Sequence, residues 1–100
     1  MGGSQHAEGR VMRVLSVPPI LLQEQAKDCL AQWLASLPPA PEPVRLDGRA
    51  LVKFDSSALA TLLALRRAVL ARGQVLELTH LPPRLIELSK LYGVDELLPI

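Results

Sequence analysis

The stretch Lys53-Phe54-Asp55-Ser56-Ser57-Ala58-Leu59-Ala60-Thr61-Leu62-Leu63-Ala64-Leu65-Arg66-Arg67 passes at two serines from a mixed polar segment into a long apolar run. Asp and Ser carry side-chain oxygens that accept hydrogen bonds from the free amides of a first helical turn, so Asp55 or Ser56 is the natural N-cap. A helix end of this kind holds unpaired N–H groups and a partial positive charge, which suit a partner's acidic group or a phosphate as well as a plain structural cap. Beyond the cap the run is apolar on nearly all sides, which predicts a helix over residues 56–72 that is heavily buried, between a sheet and a neighbouring surface. Arg66, Arg67 and Arg72 fall in its later turns, as a solvated basic face or as a contact patch, and Gly73 is the expected stop.

Downstream, residues 74–79 (Gln-Val-Leu-Glu-Leu-Thr) have the content of a strand, and its short link to the helix predicts a parallel crossover unit. Pro82 and Pro83 then open a helix over residues 83–92, with Leu85, Ile86, Leu88 and Leu91 as buried positions and Gly93 as its end. Residues 94–100 supply a last short turn or strand.

Upstream, Val44-Arg45-Leu46-Asp47 reads as a short central strand followed by a turn at Gly48. Prolines at 38, 39, 41 and 43 make a stiff connector that cannot join a ladder. Before it, Leu22, Ala26, Cys29, Leu30, Trp33, Leu34 and Leu37 recur at steps of three and four, predicting an amphipathic helix over residues 20–37 with Pro18 and Pro19 in its opening turn. Residues 10–17 form a strand, paired as a hairpin with a short edge strand at 4–7. The expected architecture is α/β: one small domain at 11–100, with a mixed sheet of about four to five strands and helices packed against it. Residues 1–10 are then a flexible tail or a short edge strand.

Composition narrows the function. Eleven basic against ten acidic residues give a net charge of +1, and Trp33, Phe54 and Tyr92 are the only aromatics, so neither a basic field nor a stacking platform for nucleic acid is present. Cys29 is the single cysteine and reads as packing; an intrachain disulfide has no second thiol. No secretory signal is read at the N-terminus and no apolar run is long enough to span a bilayer, which leads us to expect a cytoplasmic protein. His6 and His80 stand alone without metal-ligand spacing, and no phosphate-binding glycine loop occurs, so no metal and no nucleotide cofactor are expected on this chain. A hydrolytic serine would need a base tied to Ser56 or Ser57, and the sequence ties none, so no catalytic residue is assigned.

The segment Asp55-Ser56-Ser57-Ala58-Leu59-Ala60, with its upstream strand, its helix, Gly73, the next strand and the Pro82-Pro83 helix, resembles the STAS family, whose motif is Asp-Ser-Ser-Gly-Leu-Gly. The resemblance spans residues 11–99, and the ending Leu88-Ser89-Lys90-Leu91-Tyr92-Gly93-Val94-Asp95-Glu96-Leu97-Leu98-Pro99 is most similar to the family's MlaB-like members. That resemblance implies a non-enzymatic subunit of an Mla-type ABC transporter, which moves phospholipid and maintains outer-membrane lipid asymmetry. It implies that the partner is the transporter's ATPase, which holds the ATP, and that the chain is cytoplasmic and peripheral to the inner membrane. Partner contact would fall on Asp55, Ser56, Ser57 and Leu59, with Ser56 matching the hydroxyl that matters in MlaB-like proteins. The other STAS reading is an anti-sigma-factor antagonist switched by phosphorylation, for which Ser57 matches the modified serine. Ala58 and Ala60 replace the motif's glycines; their methyl groups narrow close approach and bear most on recognition of Ser57 by a kinase.

Overall fold

The computed structural model describes residues 14–98. In chain order the elements are β1 (Val14–Ser16), β2 (Ile20–Leu21), α1 (Gln23–Ala35), β3 (Val44–Asp47), β4 (Lys53–Phe54), α2 (Ser56–Ala71), β5 (Leu76–Thr79), α3 (Pro83–Leu91) and a final 3-10 turn (Asp95–Leu97). Three helices and five strands make the α/β domain that the sequence pattern predicts.

The strands fall into two small sheets, β1-β3-β5 and β2-β4, and every pairing among the described residues is parallel. The edge strand at residues 4–7, its hairpin and the tail at 1–10 lie outside the described residues. In the three-stranded sheet the rows are Val14–Arg45–Glu77 and Leu15–Leu46–Leu78. Side chains alternate across a strand, so Val44, Leu46 and Leu76 turn into the core while Arg45, Asp47 and Glu77 turn to the other face. Arg45 and Glu77 are opposite each other there and pair at 2.8 Å.

Two successive crossovers in the same direction place α1 and α2 on one face of this sheet. Leu62, Leu65 and Val69 of α2 and Cys29 and Trp33 of α1 meet the strands there, and Leu85 of α3 completes the core. Burying each of the larger aliphatic side chains stabilises the fold by roughly 1.5–3 kcal/mol. Burial also pushes the Cys29 thiol up to about 11, the inert packing role expected for it. Trp33 is 4% exposed and its Nε1–H donates to the Ser16 carbonyl at 3.0 Å, fastening α1 to β1.

The helix ends follow local chemistry. Asp55 caps α2, its Oδ1 accepting from the Ser57 N–H at 2.8 Å, which decides between the two cap candidates. Gly73 (φ 76°) and Gly93 (φ 72°) close α2 and α3 in the left-handed conformation. In each case the next amide reaches back to the helix, Gln74 to the Val69 carbonyl and Val94 to the Ser89 carbonyl.

One expectation needs correction. Pro18 and Pro19 do not open a helix; they lead into β2, and α1 starts only at Gln23, where the Leu22 N–H donates to the Gln25 side chain at 2.9 Å. The Pro19 carbonyl accepts from the amides of Val52 and Lys53 at 2.8 and 3.0 Å, which aligns Ile20 with Lys53 in a parallel pair. The expected turn at Gly48 is present, the Gly48 carbonyl accepting from the Leu51 N–H at 3.1 Å, and Gly48 also serves close approach, since a Cβ there would sit 2.7 Å from Leu81 Cδ2 while its N–H donates to the Thr79 carbonyl.

The proline connector is held by the segment beside it, which leads into the neighbouring strand β5 at the same end of the sheet. Gln74 is 2% exposed, and its Nε2 donates to the carbonyls of Pro38 (3.0 Å) and Glu42 (2.8 Å), while Arg72 Nη2 donates to Pro38 as well (3.0 Å). Arg72 is thereby a structural donor, not part of a free basic face.

Candidate functional site

The first turn of α2 leaves its hydroxyls in two different settings. Ser56 is exposed and borders an apolar groove of about 250 Å³ lined by Leu59, Ala60, Leu63, Tyr92 and Val94. Ser57, one residue on and half-buried, borders a second apolar groove of about 380 Å³ on the α1 side, with Ala26, Leu30, Thr61 and Ala64. Successive helical positions are about 100° apart, so the two serines cannot serve one contact equally. Ala60 is exposed and edges both grooves, forming a low ridge between them.

The Ser57 backbone is committed to the first turn, while its hydroxyl, half-buried, makes no hydrogen bond among the described residues. Its N–H is held by Asp55 and its carbonyl accepts from the Thr61 hydroxyl at 2.7 Å. The Ser56 hydroxyl makes no hydrogen bond among the described residues. Leu59 is 4% exposed, so it supplies the floor of the Ser56 groove and not its rim. Asp55 is exposed but spends one oxygen on the cap.

Sequence reading placed Ser56 and Leu59 together but missed Tyr92 and Val94, which the close of α3 brings to the same groove. Tyr92 is 58% exposed, too open for the end of a buried helix face. Its position immediately before a helix-terminating glycine was the one signal that could have marked it. Leu91, expected as buried, is 80% exposed.

A second polar cluster, also missed, sits at the carboxyl end of the three-stranded sheet. Asp47 accepts from the Arg49 backbone N–H at 2.9 Å and pairs with Arg49 Nε at 3.1 Å and His80 Nδ1 at 3.3 Å. The Arg49 backbone N–H, with the Arg49 guanidinium and His80 beyond it, holds the Asp47 carboxyl below the ordinary carboxylate range despite partial desolvation. His80 has φ 55°, a conformation uncommon for a residue with a Cβ. The cluster is 56% exposed at His80 and lies among no third metal-ligating side chain; no group of three His, Cys, Asp or Glu able to hold a metal occurs among the described residues. His80 is tied to Asp47 and Arg49 and to neither serine among the described residues, so these groups do not assemble a nucleophile and its base.

No described helix is long and apolar enough to cross a membrane. An exposed hydroxyl at a helix start, on the rim of an apolar groove, offers a partner apolar contact with a polar centre. The family model described as "Mlab, STAS domain" matches residues 5–99. The chain therefore belongs to the STAS domain family, in its MlaB-like branch. Members of that family are generally regulatory or accessory domains, not enzymes. No curated protein and no solved structure matches the chain.

Proposed function

We propose that this chain is a non-enzymatic accessory subunit that docks on the ATPase of an Mla-type ABC transporter and supports its assembly or turnover in phospholipid transport and outer-membrane lipid asymmetry. In this reading it is cytoplasmic, peripheral to the inner membrane through its partner, and the partner alone holds ATP. The observation that carries the reading is the exposed Ser56 hydroxyl, unspent on the fold, on the rim of the groove formed by Leu59, Ala60, Leu63, Tyr92 and Val94. A complementary apolar side chain would fill the groove while a polar group meets Ser56, and such desolvated centres carry most of an interface's binding energy. Ser57 is less available because it is half-buried where Ser56 is exposed, and the match to an MlaB-like domain supports the accessory-subunit reading over the phosphorylation-switched one.

The test is co-purification of the tagged chain with the ATPase of an Mla-type ABC transporter from the same organism, followed by ATPase turnover. Ala60→Arg, placed on the exposed ridge, and Ser56→Asp should each reduce co-purification by at least about tenfold, the equivalent of roughly 1.4 kcal/mol. Val52→Arg, at a 77% exposed site outside both grooves, should leave it unchanged. Unaltered co-purification and turnover in both ridge variants would overturn the site. Stoichiometric phosphorylation of Ser57 by an anti-sigma kinase would replace the whole reading with the antagonist one.

A further inference from the structure

A further groove, of about 230 Å³, lies toward the carboxyl end of α2, lined by Leu70 of the helix, Val75 and Leu76 at the entry to β5, and Leu97 and Leu98 at the end of the 3-10 turn. Leu70, Val75 and Leu97 are 47%, 59% and 45% exposed, so three large apolar side chains stay open to water around the buried Leu76 and Leu98. Their contiguity separates them from scattered surface apolar residues, which need no explanation.

Size decides what can fill it. The groove is smaller than the roughly 300–1,000 Å³ of a small-molecule site, and its walls fall well short of the roughly 800 Å² that each side of a standard protein interface buries. It has room for one or two residues, and the chain itself delivers them. Leu98 is 3% exposed and lines the groove, so the chain leaves the described residues from within the groove wall, with Pro99 and Ile100 next. Two residues reach at most about 7 Å, which keeps both beside the groove.

We propose that the occupant is this chain's own Pro99–Ile100 segment, with the Ile100 side chain seated against Leu70, Val75 and Leu97. The backbone favours that direction. A residue before proline is driven out of the helical region, and Leu98, with φ −106° and ψ 137°, is extended as that restriction requires. Pro99 has its φ fixed near −65° by its ring, which continues an extended path. Side chains two apart on an extended chain point the same way, so Ile100 turns to the side on which Leu98 is already buried. Arg66 and Glu96 border the groove and leave its rim polar above the covered apolar centre. The seat ties the end of the 3-10 turn to α2 and to the entry of β5. The proposal does not rest on the ATPase reading and is tested with the full chain alone.

Methyl nuclear Overhauser spectra of the unsubstituted chain should show Ile100 in contact with Val75 and with Leu70 or Leu97, at every protein concentration. Ile100→Asp should lower Tm by about 4–8 °C, read by far-UV circular dichroism. Ile100→Leu, which keeps the apolar volume, should stay closer to the unsubstituted chain than to Ile100→Asp. In a Val75→Ala background the shift caused by Ile100→Asp should shrink, because effects of residues in contact do not add. Contacts found only between labelled and unlabelled chains in a mixed sample would put a second copy in the groove and overturn the proposal. An Ile100 methyl with no contact to the groove, or an Ile100→Asp variant with unchanged Tm, overturns it equally.

Discussion

Removing the Gln74 amide tests how the proline connector is held. Gln74 Nε2 donates to the carbonyls of Pro38 and Glu42, and Arg72 supplies a second donor to Pro38. In Gln74→Leu both amide bonds vanish while the side-chain volume is nearly kept. Each such bond contributes a net ~0.5–1.5 kcal/mol. Two effects modify that sum. Pro38 retains Arg72, so its buried carbonyl is not stranded, and Gln74 Oε1, which is buried without a partner, disappears together with its desolvation cost. The expected loss is about 1–2 kcal/mol, or about 4–16 °C in Tm for a domain of this size. Arg72→Met alone should cost only about 0.5 kcal/mol, because Gln74 still satisfies Pro38. The double variant leaves the Pro38 carbonyl without either donor, so its cost should exceed the sum of the singles by about 1 kcal/mol. Urea denaturation followed by the emission of Trp33, the one tryptophan, measures all four corners of the cycle. Additivity within about 0.3 kcal/mol would refute the reasoning, since it would mean that the Pro38 carbonyl needs neither donor.

Three further outcomes are expected. Asp55→Ala should lower stability by about 1 kcal/mol through loss of the cap on the Ser57 amide, and Asp55→Asn should restore most of it, both read from urea midpoints. Cys29, with its thiol pushed up to about 11, should react with iodoacetamide at pH 8 roughly two orders of magnitude more slowly than free cysteine, whose pKa is about 8.5, and at the free rate once urea unfolds the chain. Asp47 has a carboxyl pKa lowered by folding, so its contribution to stability is present above the unfolded value of about 3.9 and disappears as pH falls through the folded one. The acid limb of a stability–pH profile should accordingly be shallower in Asp47→Asn; an unchanged slope would show that its contacts with Arg49 and His80 carry no net preference for the carboxylate.

The elements legible from sequence are those whose signals are local. β3 is legible at its observed ends because an apolar-polar alternation is bounded by Pro43 and Gly48, and α2 to within one residue because a cap, an apolar run and Gly73 all agree. β2 and β4 were not legible. Each has two residues, too few for a period, and their pairing depends on the Pro19 carbonyl meeting amides more than thirty positions away. Ile20 and Leu21 were therefore absorbed into the following helix, whose spacing they happen to fit. The candidate site divides in the same way: Asp55, Ser56 and Leu59 announce themselves through the helix start, while Tyr92 and Val94 join the groove only through tertiary packing. Arg49 and His80 meet through two parallel strands ending side by side, a relation that exists only once the sheet has formed.

The cap at Asp55 has a consequence for how this surface can change over time. Because Asp55 alone satisfies the Ser57 amide, the hydroxyl at Ser56 carries no share of the helix's stability among the described contacts. With Ser56 as the proposed docking hydroxyl, selection acting on recognition and selection acting on folding fall on different atoms, one residue apart. On that reading, substitutions at position 56 that keep the helix start should leave the Asp55 cap intact and change docking alone.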